Sequence, residues 1–170
     1  SDLGSTFSYI QVKTAQALLL LHKVTKIQRF LTASERLGQI KFLNKECRYT
    51  HPLAYYLEGM MALGKNRIVR QILDDNIIPT LRSNGFIPYF PGAKYAYVSG
   101  SVQLGILLWK VGHKPEARKI LEWALRVQEN DDSGGLFQYA KESGNPDGTI
   151  HREINSWGTK YFAELIRIAN

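Results

Sequence analysis

The chain has 170 residues, of which 44% are hydrophobic and 22% are charged, and it contains one cysteine, Cys47. This composition is that of a globular protein, and it argues against a disordered chain and against a disulfide scaffold. No stretch of about 18 apolar residues occurs, so we expect no membrane span. The net charge of +7 favours an anionic partner. The basic residues are spread out without a nucleic-acid-binding signature, however, so no nucleic-acid partner is expected.

Helical periodicity dominates and predicts about seven helices in a single all-α domain over residues 1–170. Thr50 is a candidate N-cap for the third of them, and Pro52 suits its first turn. Convincing strand alternation is absent, and only Phe86 to Phe90 is predicted as a short extended piece. The predicted helices are Phe7–His22, Ile27–Leu43, Thr50–Leu63, Asn66–Leu81, Ser99–Gly112, Pro115–Glu129 and Ser156 to the C-terminus.

Two segments resemble each other and predict a repeated helical hairpin. The residues from Gly64 to Leu73 align with those from Gly112 to Leu121, and their glycine, arginine, isoleucine and leucine coincide. Downstream, Gly85–Phe90 resembles Gly135–Ala140. The period is roughly 50 residues, which is typical of stacked helical hairpins.

Loop lengths point to one end of the predicted helix array as the functional end. Short connections leave the odd-numbered helices, whereas longer ones, such as 83–98 and 130–155, enter them. In antiparallel helices the two kinds of loop lie at opposite ends, and long loops on a rigid scaffold commonly carry function. The long-loop end is rich in aromatic residues: Tyr49, Phe86, Tyr89, Phe90, Tyr95, Tyr97, Phe137, Tyr139 and Trp157.

These aromatic rings have two interpretations. They suit the C–H faces of sugars or a hydrophobic ligand, and they could equally hold the loops against the helices. In the register of the repeat, Gln103 of the fifth predicted helix occupies the position of Tyr55 in the third. Lys160 of the seventh helix aligns with the same position. His51, Ser99 and Ser156 lie one turn earlier, where Ser99 and Ser156 are also candidate N-caps. If the odd helices form an inner layer, these polar residues line one cavity.

Other kinds of site find little support in the sequence. His151 and Glu153 form a candidate proton-transfer pair, although loop charge alone accounts for such spacing. The histidines follow no zinc pattern, and neither a phosphate-binding nor a dinucleotide-binding loop occurs. We therefore expect no metal and no cofactor. The lone cysteine fits a reducing compartment, so a cytoplasmic location is expected.

Three stretches carry a family resemblance. The first is Thr50-His-Pro-Leu-Ala-Tyr-Tyr, followed by Gly59 and Leu63-Gly64. The second is Lys94-Tyr-Ala-Tyr, followed by Gly100-Ser-Val-Gln103. The third is Asn155-Ser-Trp-Gly-Thr-Lys-Tyr-Phe162, preceded by Gln128 and Gly134-Gly135. Together they resemble the (α/α) toroid domains of the six-hairpin glycosidase and terpenoid-cyclase-like class. The similarity is strongest to toroid proteins associated with bacterial polysaccharide biosynthesis or modification.

The resemblance implies concentric inner and outer helices, with a ligand cleft at the long-loop end and carbohydrate as the ligand. A full toroid has about six hairpins, and this chain has about three and a half. The toroid is therefore partial, or a homo-oligomer or a preceding N-terminal region completes the ring. No Asp-rich cyclase motif occurs. No persuasive pair of catalytic carboxylates occurs either, so the resemblance alone does not imply glycosidase activity.

The leading hypothesis is a carbohydrate-binding or carbohydrate-modifying domain of polysaccharide metabolism, whose ligand is an oligosaccharide or polysaccharide of neutral or acidic type. Whether it is an enzyme stays open. Lyase or epimerase chemistry on a uronate would need an acid and a base, for which the candidates are His51, Tyr55, Tyr97, His151 and Lys160. The expected ligand-binding residues are Tyr89, Tyr95, Gln103, Tyr139, Glu153 and Trp157. The alternatives are a non-catalytic protein–protein interaction scaffold and a cyclase-type toroid for a hydrophobic ligand.

Overall fold

The fold is mainly helical, as the sequence predicts. The computed structural model describes residues 10–40, 49–130, 135–147 and 155–169, and these contain seven α-helices and one two-stranded sheet. The chain divides into two compact units, Ser1–Gln71 (unit 1) and Ile72–Asn170 (unit 2). The all-α prediction of about seven helices is confirmed.

Unit 1 contains helices α1 (Thr14–Thr25), α2 (Gln28–Leu37) and α3 (Thr50–Ala62), together with the start of α4 (Asn66–Asn76). Helix α1 packs against both α2 and α3. Gly59 of α3 lies directly against the chain before α1, since a Cβ added there would be 2.1 Å from the carbonyl oxygen of Val12. Next to this contact, Lys13 Nζ lies 2.5 Å from Glu58 Oε2. Gly59 of the toroid-like pattern therefore has a packing role here.

Unit 2 is built around helix α5 (Val98–Lys110), which packs against α6 (Lys114–Glu129) and α7 (Ser156–Ala169). Every residue of α5 from Val98 to Leu108 is buried. At Gly105 an added Cβ would lie 3.0 Å from Leu165 Cδ2 and 3.2 Å from Ile120 Cγ2. The missing side chain thus allows α6 and α7 to approach α5 at one point. The unit also holds the rest of α4, a 3-10 turn (Ile78–Thr80) and strands β1 (Tyr95–Tyr97) and β2 (Tyr139–Lys141).

The two segments that the sequence aligns form the same turn. After α3, the N–H of Gly64 donates to Met61 O and the N–H of Lys65 donates to Met60 O. After α5, Gly112 and His113 make the equivalent bonds to Trp109 O and Leu108 O. Both patterns are Schellman motifs, in which a glycine at positive φ ends the helix and satisfies its last carbonyls. The two aligned segments therefore share one local turn geometry.

Several predicted boundaries are wrong. Helix α1 continues past His22 to Thr25, and α2 ends at Leu37. The fourth helix ends at Asn76 rather than Leu81, and a 3-10 turn with Pro79 follows, because proline disfavours helical geometry in the residue before it. The two strands were not predicted, since three residues are too few to show alternation. The predicted helical residues 7–9 and 41–43 lie outside the described part of the chain.

The predicted N-caps are also wrong. The N-cap of α3 is Tyr49 and Thr50 is the first residue of that helix, while the N-cap of α5 is Tyr97 and Ser99 is the second residue of that helix. Neither helix has a side-chain cap. Among the described residues, the hydroxyls of Thr50 and Ser99 are buried and have no hydrogen-bond partner. Ser156 already lies inside α7.

The cap of α7 is Asn155. Its Oδ1 accepts hydrogen bonds from the N–H groups of Trp157 (2.9 Å) and Gly158 (3.2 Å). An N-cap side chain must precede the first helical residue to reach the free N–H groups of the first turn. Asn155 meets that condition, whereas Ser156 is one residue too late.

Substitution of Gly85 by alanine should destabilise the protein strongly. Gly85 has φ +89°, and an added Cβ would lie 1.8 Å from the carbonyl oxygen of Lys119. Left-handed geometry costs about 1–2 kcal/mol, and the clash with backbone adds about 1–3 kcal/mol. We expect the free energy of unfolding in urea to fall by about 3 kcal/mol or more.

Gly92→Ala is the matched control for this substitution. Gly92 lies in the same loop with φ +87°, and nothing lies within 4 Å of its added Cβ. Only the backbone cost of about 1–2 kcal/mol should appear. Equal losses in the two variants would show that the loop does not rest on the α6 backbone at Gly85.

Candidate functional site

A short antiparallel ribbon joins the two long loops of unit 2. Its register pairs Tyr95 with Lys141, Ala96 with Ala140 and Tyr97 with Tyr139. Because side chains alternate along a strand, Ala96 and Ala140 share one face, and both are fully buried. The tyrosines share the opposite face and are half-buried. Within unit 2 the long loops therefore meet at one end, as their lengths predict.

Glu142 fixes the two loops to each other and to α6. Its carboxylate accepts from the Arg82 guanidinium and, at 3.1 Å, from Asn84 Nδ2. Its backbone carbonyl accepts from Trp123 Nε1 at 3.2 Å, and Trp123 is fully buried. Arg126 of α6 donates to Asn84 O at 2.6 Å. The ribbon is thereby anchored on the helical scaffold, which gives the side chains on its other face a defined position.

The face opposite the alanines carries a cluster of five aromatic rings. Tyr97 and Tyr139 have ring centroids 5.1 Å apart, and Tyr95 lies 5.5 Å from Tyr139. Tyr89 lies 5.6 Å from Tyr97 and 6.0 Å from Phe90. The rings meet edge-on or tilted, which is the favoured geometry of aromatic pairs. We call this group the tyrosine cluster; its members are Tyr89, Phe90, Tyr95, Tyr97 and Tyr139.

Polar groups border the tyrosine cluster. Asn155 Nδ2 donates to the hydroxyl of Tyr97 at 3.3 Å, so the residue that caps α7 also contacts the cluster. The neighbouring Lys94 is exposed. Asn155 was not predicted as a site residue. The signal that would have revealed it is an asparagine directly before a predicted helix start.

Tyr139 is the cluster member whose ionisation is perturbed. Burial raises the pKa of Tyr139 above its ordinary 10.0, and the neighbouring phenols of Tyr97 and Tyr95 raise it further, against a smaller lowering by a hydrogen bond with Gln138. A phenol with a raised pKa stays protonated around neutral pH and can donate a hydrogen bond. It is poorly suited to remove a proton from a substrate.

Two of the predicted catalytic residues, His51 and Tyr55, lie together on α3 in unit 1. Their ring centroids are 4.4 Å apart, and both side chains are half-buried. The spacing of four residues places them on the same side of the helix. The structure thus pairs these two residues with each other, while Tyr97 belongs to the tyrosine cluster of unit 2.

The remaining predicted site residues have diverse environments. Gln103 is fully buried within α5, whereas Trp157 is 58% exposed. Lys160 is exposed, and its Nζ lies 5.6 Å from the Trp157 ring centroid and 5.3 Å from that of Tyr161. His151 and Glu153 lie outside the described residues. Of the predicted residues, therefore, the structure brings Tyr89, Tyr95, Tyr97 and Tyr139 into one cluster.

The described residues lack two further features, a metal-binding cluster and a membrane-spanning helix. Nowhere in the ranges given above do three or more His, Cys, Asp or Glu side chains group as they would to hold a metal ion. Among the same residues, no helix combines the length and the apolar character that crossing a membrane requires.

The raised pKa of Tyr139 makes a prediction for alkaline stability. Because the pKa is higher in the folded than in the unfolded chain, the contribution of Tyr139 to stability is complete below about pH 10 and is lost as the pH rises through the folded-state value. In melting curves between about pH 9 and pH 11.5, Tyr139→Phe should lose less stability with pH than the unchanged protein. The other tyrosines are common to both proteins, so equal pH slopes would contradict a raised pKa at Tyr139.

Comparisons with protein-family models, with curated proteins and with solved structures give no significant match to this chain. The resemblance to (α/α) toroids therefore stays a prediction, and the function has to be inferred from the residues of the chain itself.

Proposed function

We propose that this chain is a carbohydrate-binding helical domain of polysaccharide metabolism and that the tyrosine cluster of unit 2 is its sugar-binding surface. The observation that carries the proposal is the convergence of four tyrosines from two separate loops on one half-buried face of an anchored ribbon. A structural role alone would favour apolar rings, which need no partner for a hydroxyl.

The chemistry of the cluster matches that of a sugar. Each tyrosine combines an apolar ring with a polar tip, and a pyranose likewise combines C–H faces with a rim of hydroxyls. Asn155, which contacts Tyr97, supplies an amide with both donor and acceptor capacity. The exposed Lys94 beside β1 supplies a cation for an acidic sugar. A neutral or acidic oligosaccharide therefore fits this surface.

The described part of the cluster favours binding over catalysis. Lyase or epimerase chemistry at a uronate requires a base near the sugar. Tyr139, whose pKa is raised above the ordinary 10.0, stays protonated around neutral pH, where its hydroxyl can donate a hydrogen bond but not remove a proton. Tyr97, a predicted catalytic residue, accepts a hydrogen bond from Asn155. We therefore assign these two tyrosines to sugar recognition, and the acid–base roles of His51, Tyr55, His151 and Lys160 stay predictions.

Loss of a cluster ring should weaken sugar binding. Each stacked ring contributes about 0.5–1.5 kcal/mol, so Tyr95→Ala and Tyr97→Ala should each weaken binding by roughly two- to tenfold. Binding is measured by isothermal titration calorimetry against a panel of neutral and uronate oligosaccharides, and the melting temperature is recorded with and without ligand.

Tyr49→Ala is the control, because Tyr49 is an exposed tyrosine outside the tyrosine cluster. Its affinity should equal that of the unchanged protein. Tyr95→Phe keeps the ring and should retain most of the binding. The proposal fails if no sugar raises the melting temperature, or if Tyr49→Ala weakens binding as much as the cluster variants do.

A second candidate function, a protein–protein interaction scaffold, rests on a different surface. The end of α1 and the turn after it expose apolar side chains, namely Leu20 (58% exposed), Leu21 (45%), Val24 (81%) and Ile27 (43%). Contiguous apolar patches of this kind mark interaction sites more often than isolated exposed residues do. Stacked helical hairpins commonly serve as such scaffolds, and a second copy of the chain is the simplest partner to test.

Self-association through this patch should disappear when it is made polar. We expect sedimentation velocity over a range of protein concentrations to show a dimer that Val24→Glu abolishes. Leu125→Glu, at an exposed leucine on α6, is the control and should leave the dimer intact. A protein that sediments as a monomer at every concentration would contradict self-association through this patch.

A further inference from the structure

A second surface of unit 2 collects positive charge around the first turns of α6. A cavity of about 520 Å³ lies here. Three of its lining side chains are cations from one helix face, and one is an acid. The lining residues are Ser83, Lys114, Pro115, Arg118, Lys119 and Glu122.

Two of the three cations that line this cavity, which we call the basic groove, lie near one indole ring. Lys114 Nζ lies 5.3 Å from the ring centroid of Trp109, and Arg118 Cζ lies 5.8 Å from the same centroid. Two like charges four residues apart on a helix repel each other, whereas the face of an indole attracts each of them. Trp109 thus attracts both cations, which offsets part of their mutual repulsion.

Acidic groups do not neutralise the groove. In the described ranges, no carboxylate forms an ion pair with Lys114, Arg118 or Lys119, although Glu122 lines the cavity. Lys110, the nearby cation of α5, is instead paired with Glu164 at 3.4 Å. The positive end of the α6 dipole adds to the positive potential of the groove. The negative charge of Glu116 in the first turn of α6 lowers that potential. The remaining charge favours an anion.

The two copies of the internal repeat place their cations differently. Arg70 of α4 is the repeat equivalent of Arg118, and the aligned positions of Lys114 and Lys119 are Asn66 and Gln71. The equivalent of Trp109 is Met61. The same turn and helix therefore occur in both copies, and the first copy has cations of its own at Lys65, Arg67 and Arg70, but only the second has an indole for its cations to pack against.

We infer that the basic groove binds carboxylate groups of an acidic polysaccharide, so that the sugar proposed for the tyrosine cluster belongs to a uronate-containing chain. This inference rests on the proposed function. A guanidinium can hold a carboxylate with two parallel hydrogen bonds, and Lys114 and Lys119 add point charges on either side of Arg118 along the chain. The groove is a second contact for the polymer, separate from the tyrosine cluster.

The test compares two probes of equal length, a galacturonate hexamer and its fully methyl-esterified form, which has the same rings without the charge. The galacturonate hexamer should bind more tightly, and the difference should shrink as salt rises from about 0.02 to about 0.5 M. Arg118→Gln should reduce the preference for the acid by roughly two- to fivefold, as expected for a partly exposed ion pair. Lys114→Gln should act in the same direction.

Arg70→Gln is the matched control, because it removes the same charge from the equivalent position of the other copy. It should leave the preference unchanged. An equal effect of Arg70→Gln and Arg118→Gln would overturn the inference, since the net charge of +7 would then account for the preference. An Arg118→Gln variant that keeps the full preference for the galacturonate hexamer would also overturn the inference.

The two proposals fail in different ways. If both hexamers bind equally and Tyr95→Ala weakens both, the tyrosine cluster binds sugar and the basic groove has no part in it. If neither hexamer binds but another sugar of the panel does, the inference alone is wrong; if no sugar of the panel binds, the sugar-binding function is wrong and the inference is wrong with it. Arg118 is exposed, so its variants should melt at the temperature of the unchanged protein, which circular dichroism verifies.

Discussion

The contact of three helices at Gly105 is the constraint on which unit 2 depends. Helix α5 is buried over almost its whole length, and at Gly105 side chains of both α6 and α7 lie close to its backbone. A helix enclosed in this way cannot shift without disturbing both neighbours, because protein interiors are close-packed. The start of α5 follows β1 directly, so the position of the ribbon is set by the position of this helix. The scaffold is fixed first, and the loop surface takes its shape from it.

The two candidate binding surfaces differ in their physical character. The tyrosine cluster is a set of mutually packed rings whose members come from separate loops, and its binding energy would come from apolar contact with hydroxyl hydrogen bonds at the rim. The basic groove is lined mainly by one helix face, two of whose cations lie near one indole, and its attraction for a ligand would be electrostatic and screened by salt. A neutral sugar would use the first surface alone, whereas a polyuronate would use both. The relative contributions of the two surfaces then distinguish ligands by charge.

Much of the helical framework could be predicted from the sequence, because apolar periodicity and the glycines at 64 and 112 mark the helix ends. Strands β1 and β2 could not, because each has three residues and gains its regularity only from pairing with the other. The aromatic richness of the long loops was visible, yet the sequence could not show which rings meet. The pairing of Tyr97 with Tyr139 depends on the arrangement of α5 and α6. Asn155 illustrates the limit for single positions, since a shift of one residue separates a helix cap from a residue inside the helix.

The ribbon also has a consequence for how the chain folds. Its two strands lie on either side of the entire α5–α6 hairpin, so their pairing closes a long loop. Closing such a loop in a disordered chain has an entropic cost that local helix formation does not have. Once α5 and α6 are docked, the ends of that loop are already near each other and the cost is small. The tyrosine cluster should therefore assemble after the α5–α6 hairpin has docked, and its tyrosines are natural optical reporters of that step.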